Sequence, residues 1–313
     1  FAGGGYMPKM TRAFKFRDRM TDAVALAAAF GALTTYPMVI STVHILYRHA
    51  PLFLAKLGAG IDGISNGGWG MNVVCGLTPR SAEIFDFPDL DHDERYAAAT
   101  EFVTIMQQLW SRDEPIDYQG QHYRTKGAFL DTKPSQQPWP LLVNAGFSEA
   151  GRDFAARLCD WIFILSDRPT DYDSIARRAA DIKARAVRFG RTVKVCMHPY
   201  VICRETEREV NEVRDFIIRN ADQETLEQEY QTYMGPQAIT QSHRQTQRVR
   251  EDFIFLGTFQ IFGTPEQVVE KFIRLKRAGC DGVHLVFLDW VNDLKFFGER
   301  VLPLLRQEMG DTE

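Results

Sequence analysis

The stretch MVISTVHILYRHAPLFLAKLGAGIDGISNGGWGMNVVCG, residues 38–76, decides the fold class. Residues 38–46 are a β-branched run behind Pro37 and read as a strand. Residues 52–64 carry apolar side chains at helical spacing and are stopped by Asn66-Gly67-Gly68. Residues 69–75 form a second strand that ends at Gly76. A strand, a helix and a strand in direct succession make a βαβ unit, which implies a parallel sheet.

The alternation continues outward. Residues 21–34 read as a helix with Asp22 at its start, and 91–110 as a long helix with acids in its first turn. The turn-rich stretch 113–138, with YQGQHY inside it, reads as a β-hairpin excursion. Strands are expected at 141–144, 161–165, 193–203 and 283–288. Helices are expected at 148–158, 171–189, 205–220, 264–278 and 291–307, the helix of 264–278 opened by Thr264-Pro265. Residues 221–251 are polar, Gln-rich and helical in tendency, and read as an insertion over one face. Six strands alternating with helices point to one (β/α)8 TIM barrel over residues 1–313, two strands short. The abrupt start at Phe1-Ala2-Gly3-Gly4-Gly5, without Met, suggests that a first βα unit is missing. A doubly wound sheet is the rival, but no GxGxxG follows a strand.

The 313 residues are 45% hydrophobic and 25% charged, which excludes a disordered or coiled-coil chain. With 37 basic against 41 acidic residues there is no basic footprint for nucleic acid. No apolar run is long enough to span a bilayer. Five scattered cysteines without CxxC read as free buried thiols, which fits a cytoplasmic protein. The sequence lacks HExxH, GxSxG and a phosphate-binding GxxxxGK motif, and its seven His are too scattered for a metal site. Taken singly, His44, His198 and His284 read as structural histidines.

Three features carry chemistry. In NAGFSEAG, residues 144–151, a strand runs through a Gly turn into a helix capped by Ser148. Free backbone N–H groups at such a terminus seat an anion, although a merely well-capped helix reads the same. In WGMNVVCG, residues 69–76, Asn72 lies in an apolar strand and needs polar partners, from a neighbouring loop or from the edge of a planar ligand. In DHDERY, residues 91–96, the acids are helix-start charges, and Arg95-Tyr96 can reach back to a phosphate or ring.

Together NVVCG, HDERY, AGFSEAG and the closing GTPEQV…GVHLVF…RVLPLL resemble the bacterial-luciferase-like family of flavin-dependent monooxygenases. The pyrimidine branch is most similar, through AGFSEAG…FAARLCDWIF and GERVLPLL; the alkanesulfonate and dimethylsulfone branches are similar at HDERY. The resemblance implies a barrel that binds FMN as FMNH2, uses O2 and depends on a separate NAD(P)H:flavin reductase. It places Thr42 and Asn72 on the oxygen-reacting side of the flavin and Glu83 beside it. It puts Arg95, Tyr96, Ser148 and Gly151 at its phosphate. It also implies a homodimer or homotetramer. The sequence departs from the pyrimidine pattern at Arg17-Asp18-Arg19 and at Leu77, around the substrate pocket.

The expected activity is oxygenation of a small organic substrate, an N-heterocycle of pyrimidine type. The alternative is a sulfonate or sulfone, for which Arg17, Arg19, Arg48 and His49 would supply cationic groups. Readings of another class are a flavin- or deazaflavin-dependent reductase and a non-catalytic flavin-binding subunit.

Overall fold

The computed structural model describes residues 21–35, 38–46, 49–76, 86, 90–235 and 246–310. The chain divides into two compact units, the first made of residues 1–162 and 188–193, the second of 163–187 and 194–313.

In the first unit, α1 (Ala23–Leu33) is opened by Asp22, whose carboxylate accepts from the N–H groups of Val24 and Ala25, each at 2.9 Å. Strand β1 (Val39–His44) leads to α2 (Pro51–Ile64), with proline in its first turn, where no N–H is required. The helix stops where Asn66 and Gly67 take positive φ, 52° and 81°. Strand β2 (Trp69–Val74) then pairs parallel to β1. Helix α2 packs close over this pair because Gly58 has no side chain, and a Cβ there would lie 2.7 Å from the Trp69 ring. Both core indoles have acceptors: Trp69 Nε1 donates to Ser41 Oγ at 3.0 Å and Trp110 Nε1 to the Ala55 carbonyl at 2.8 Å.

Helix α3 (His92–Ser111) starts with a reciprocal cap between Asp91 and Glu94, so the acids of HDERY are helix-start groups as read. The excursion is a hairpin of β3 (Ile116–Gln119) and β4 (Arg124–Ala128). It is fastened to α3 by Glu101, whose carboxylate accepts from the N–H groups of Gln121, His122 and Tyr123 at 2.8–2.9 Å. Strand β5 (Leu141–Asn144) pairs parallel to β2, α4 (Glu149–Leu158) follows, and β6 (Trp161–Ile164) pairs parallel to β5.

The second unit continues with α5 (Tyr172–Arg188) and β7 (Lys194–Met197). The single strand expected at 193–203 is broken at His198, and β8 (Pro199–Cys203) takes up a different partner. Pro199 has no N–H to continue the ladder, and the break falls there. Helix α6 (Glu207–Asn220) has a Thr206–Glu209 capping box. The stretch read as an insertion holds α7 (Gln223–Met234), and a 3₁₀ turn, Arg250–Phe255, that begins at its end is tied to α7 by Arg250 through Glu227 at 2.9 Å. Strand β9 (Phe259–Gly263), which the sequence reading passed over, pairs parallel to β8 along its whole length. After α8 (Pro265–Arg277), β10 (Gly282–Val283) pairs with β7 and is shorter than expected, with one further bridge at Val286. The final helix is α9 (Trp290–Phe296), a π-helical turn and α10 (Leu302–Met309).

Candidate active site

Strand register puts Thr42 of β1 level with Asn72 of β2, and Asn72 Nδ2 donates to Thr42 Oγ1 at 3.3 Å. The amide oxygen of Asn72 is buried and accepts no hydrogen bond. Leaving such an acceptor unsatisfied costs about 1–3 kcal/mol, so among the described residues the strand presents an acceptor that a ligand or water can satisfy.

One strand over, Asn144 at the end of β5 sets the turn that follows. Its Nδ2 donates to the Val73 carbonyl at 2.7 Å and its Oδ1 accepts from the Gly146 N–H at 2.6 Å. The chain then enters α4 with Ser148 at the N-cap, Oγ accepting from the Gly151 N–H at 3.1 Å. Gly146 and Gly151 close on each other. A Cβ on Gly146 would lie 2.9 Å from the Gly151 Cα, and one on Gly151 would lie 2.7 Å from the Tyr96 hydroxyl. A helix N-terminus opened by glycines in this way has the geometry that can seat an anion.

Tyr96 covers this terminus, its ring 5.7 Å from Phe154 and 5.1 Å from His92. Burial, reinforced by neighbouring Cys75, holds its phenol well above the usual range, against the pull of a hydrogen bond with Ser148 and of Arg95. Tyr96 is therefore a neutral hydroxyl at this position. Arg95 Nη1 donates to the Leu90 carbonyl at 2.8 Å, and its charge bears on Tyr96 and Cys75. Burial raises the Cys75 thiol far above its ordinary value despite Arg95, so no thiolate nucleophile exists here. At the mouth of α4, Glu149 is paired with Arg152, which offsets the one negative charge of its first turn.

The structure thus brings Thr42 and Asn72 together, and Arg95, Tyr96, Ser148 and Gly151 together, within one unit. Glu83 lies outside the described residues, as do Arg17, Arg19 and Arg48. Burial lowers the pKa of His49 against the opposing effect of Asp22, so His49 carries no standing charge at neutral pH.

Two histidines that read as separate structural groups meet in the second unit. His198, at the end of β7, and His284, just past β10, approach at 2.8 Å between their Nδ1 atoms. Burial holds His198 at about 4 and lowers His284, so one ring donates to the other as neutral imidazoles. The sequence reading sets both inside strands, at 193–203 and 283–288, and carries no signal of this contact; the structure puts both at the C-terminal ends of parallel strands. Among the described residues there is no group of three or more His, Cys, Asp or Glu placed to hold a metal ion.

The luciferase-like monooxygenase family signature matches residues 7–282. The FMNH2-dependent dimethylsulfone monooxygenase of Pseudomonas putida is 31% identical over 298 residues, covering 93% of this chain and 80% of that protein. The pyrimidine monooxygenase RutA of Variovorax paradoxus is 27% identical over 307 residues, covering 94% and 80%. Among solved structures, riboflavin lyase RcaE, with modified FMN and riboflavin bound, superposes with a TM-score of 0.87 at 23% identity, covering 96% of this chain and 77% of that one.

Proposed function

Because this chain belongs to the luciferase-like monooxygenase family and has its TIM-barrel fold, we propose that it is a two-component enzyme, supplied with FMNH2 by a separate flavin reductase, that uses O2 to oxygenate a small organic substrate. The observation that carries the flavin assignment is the cradle of Gly146, Ser148 and Gly151 under Tyr96. The glycine-opened N-terminus of α4 and the orphaned Asn72 oxygen suit the two ends of a flavin mononucleotide, a phosphate and a ring edge rich in donors.

In this reading the N-terminus of α4 and the Ser148 hydroxyl bind the phosphate, with the Tyr96 hydroxyl beside it. Asn72 Oδ1 accepts from the isoalloxazine edge, and its Nδ2 stays on Thr42, which fixes the orientation of the amide. Arg95, and Glu83 outside the described residues, complete the flavin contacts. The reduced flavin supplies the oxygen chemistry when bound, and the protein supplies position and exclusion of water. Buried Tyr96, Cys75 and His44 are uncharged at neutral pH; burial holds His44 at about 4.

For the substrate, the pyrimidine-type ring is our first reading, supported by the AGFSEAG and GERVLPLL likeness and by the relative that acts on pyrimidines. The sulfone reading has equal support from the dimethylsulfone relative. Five free, buried cysteines and the lack, among the described residues, of any helix able to cross a membrane support a cytoplasmic enzyme. Apolar side chains exposed on α1 and α2, among them Phe30, Leu33 and Phe53, support a homo-oligomer, dimer or tetramer.

The test is anaerobic titration with FMNH2 beside Ser148→Ala, followed by turnover with O2 and uracil or dimethylsulfone. Wild-type protein is expected to bind, and the variant to bind about tenfold more weakly, the effect of one charge-assisted hydrogen bond. Equal affinity for both proteins would overturn the phosphate assignment, and no binding at all would overturn the flavin reading.

A further inference from the structure

The second unit contains a buried arginine whose charge no described residue matches with an ion pair. Arg248 is 3% exposed, and its Nε and Nη1 groups are buried without an acceptor. Its one hydrogen bond is a long one, from Nη2 to Ser166 Oγ at 3.4 Å. A guanidinium carries five donors in a planar fork and cannot shed its charge in the neutral range.

The neighbouring carboxylates do not answer it. Asp167 is held by Arg178 and by Arg177, the latter at 3.2 Å. Asp252 accepts from the Val249 N–H at 2.9 Å. Both act on Arg248 only at longer range, and burial lowers its pKa to about 10, still charged at neutral pH. Arg248 is not there by slack, because the segment carrying it is pinned. The Gln247 N–H donates to the Asp167 carbonyl at 3.0 Å, and Arg168 Nε donates to Gln247 Oε1 at 3.1 Å. These bonds set Arg248 beside Ser166, just beyond the end of β6.

The surroundings are those of a binding site. His198 lies close enough to feel the Arg248 charge, and with His284 it forms the neutral imidazole pair at the ends of β7 and β10. Phe163 sets its edge against His284, with ring centroids 5.9 Å apart. A fixed cation, a buried hydroxyl and neutral imidazole N–H groups are the complement of a small oxyanion, which would accept from all of them and cancel the charge.

We propose that Arg248, with Ser166 and the His198–His284 pair, forms an oxyanion-binding site that takes a carboxylate, sulfonate or phosphate group. The shared chemistry has two sources, an acidic group on a small organic molecule or a free inorganic anion. The site belongs to the second unit alone, and its test does not depend on the flavin assignment.

The full chain, without flavin, is titrated with sodium methanesulfonate, acetate, sulfate and phosphate against sodium chloride at matched ionic strength. Affinity is followed by calorimetry and Tm by thermal unfolding. Saturable binding of at least one oxyanion is expected, with a matching rise in Tm. Arg248→Met is expected to bind about tenfold or more weakly, and Arg248→Lys to fall between, since it keeps the charge and loses the fork. Arg248→Met is also expected to melt no lower than wild type without anion, because it removes an unmatched buried charge. Binding confined to methanesulfonate or acetate identifies an organic acid, and binding confined to sulfate or phosphate an inorganic anion. Equal effects of chloride and every oxyanion, or unchanged affinity in Arg248→Met, would overturn the site.

Discussion

At the scale of single residues, the cradle depends on what is missing as much as on what is present. Gly151 leaves room for the Tyr96 hydroxyl, and a methyl group there would intrude to 2.7 Å. Gly151→Ala is expected to push Tyr96 off the helix N-terminus, cost about 1–3 kcal/mol as an overpacked site, and weaken FMNH2 binding with it. A fluorescence titration beside a thermal melt checks both effects; a variant with wild-type affinity would show that Tyr96 is not part of the seat. Ser148 and Gly151 are legible in the sequence because a cap and a small residue one turn apart leave a local signature. Asn72 is legible because a lone amide in an apolar strand demands a partner. That its partner is Thr42, and that one of its own atoms stays unsatisfied, depends on strand register.

At the scale of elements, one carboxylate fastens the β3–β4 hairpin to α3. Burial works to raise the pKa of Glu101, but the N–H groups of Tyr123, Gln121 and His122 outweigh it, and the net shift is downward. A folded pKa below the unfolded one means that this contribution is complete above the ordinary carboxylate range and is lost as pH falls through the lowered value. Glu101→Gln is expected to cost about 2 kcal/mol at neutral pH, measured by denaturant unfolding, and to make the hairpin amides of residues 121–123 exchange faster with solvent. Unchanged exchange would mean that packing, with Tyr123 edge-on to Phe102 at 5.5 Å, holds the hairpin without the carboxylate. The hairpin itself was readable from its turn residues. The anchor was not, because Glu101 and Gln121 are far apart in sequence and only the fold makes them neighbours.

At the scale of the whole molecule, burying neutral imidazoles gives the chain an acid limit. Burial sets His44 and His198 at about 4, against an ordinary value of 6.5. Between those values the unfolded chain binds more protons than the folded one, so stability is full above pH 6.5 and declines toward pH 4. Tm is expected to fall by roughly 5 °C or more from pH 7.5 to pH 5, and His198→Asn to flatten part of that slope. An identical slope in the variant would show that His198 is not among the groups responsible. By itself the sequence determined the βαβ alternation, most helix boundaries and the Ser148 cap behind its glycine turn, because periodicity, caps and turn glycines act over a few neighbouring residues. The exceptions are instructive: β9 is defined by its pairing to the distant β8, and the strand read at 193–203 changes partner at His198. Only the tertiary structure decided that, among the described residues, Asn72 keeps a free acceptor, two strand-end histidines share one contact, and Arg248 is buried with its charge unmatched. Those facts are sums over neighbours brought together from distant parts of the chain, and burial, which sets their energies, exists only once the chain has folded.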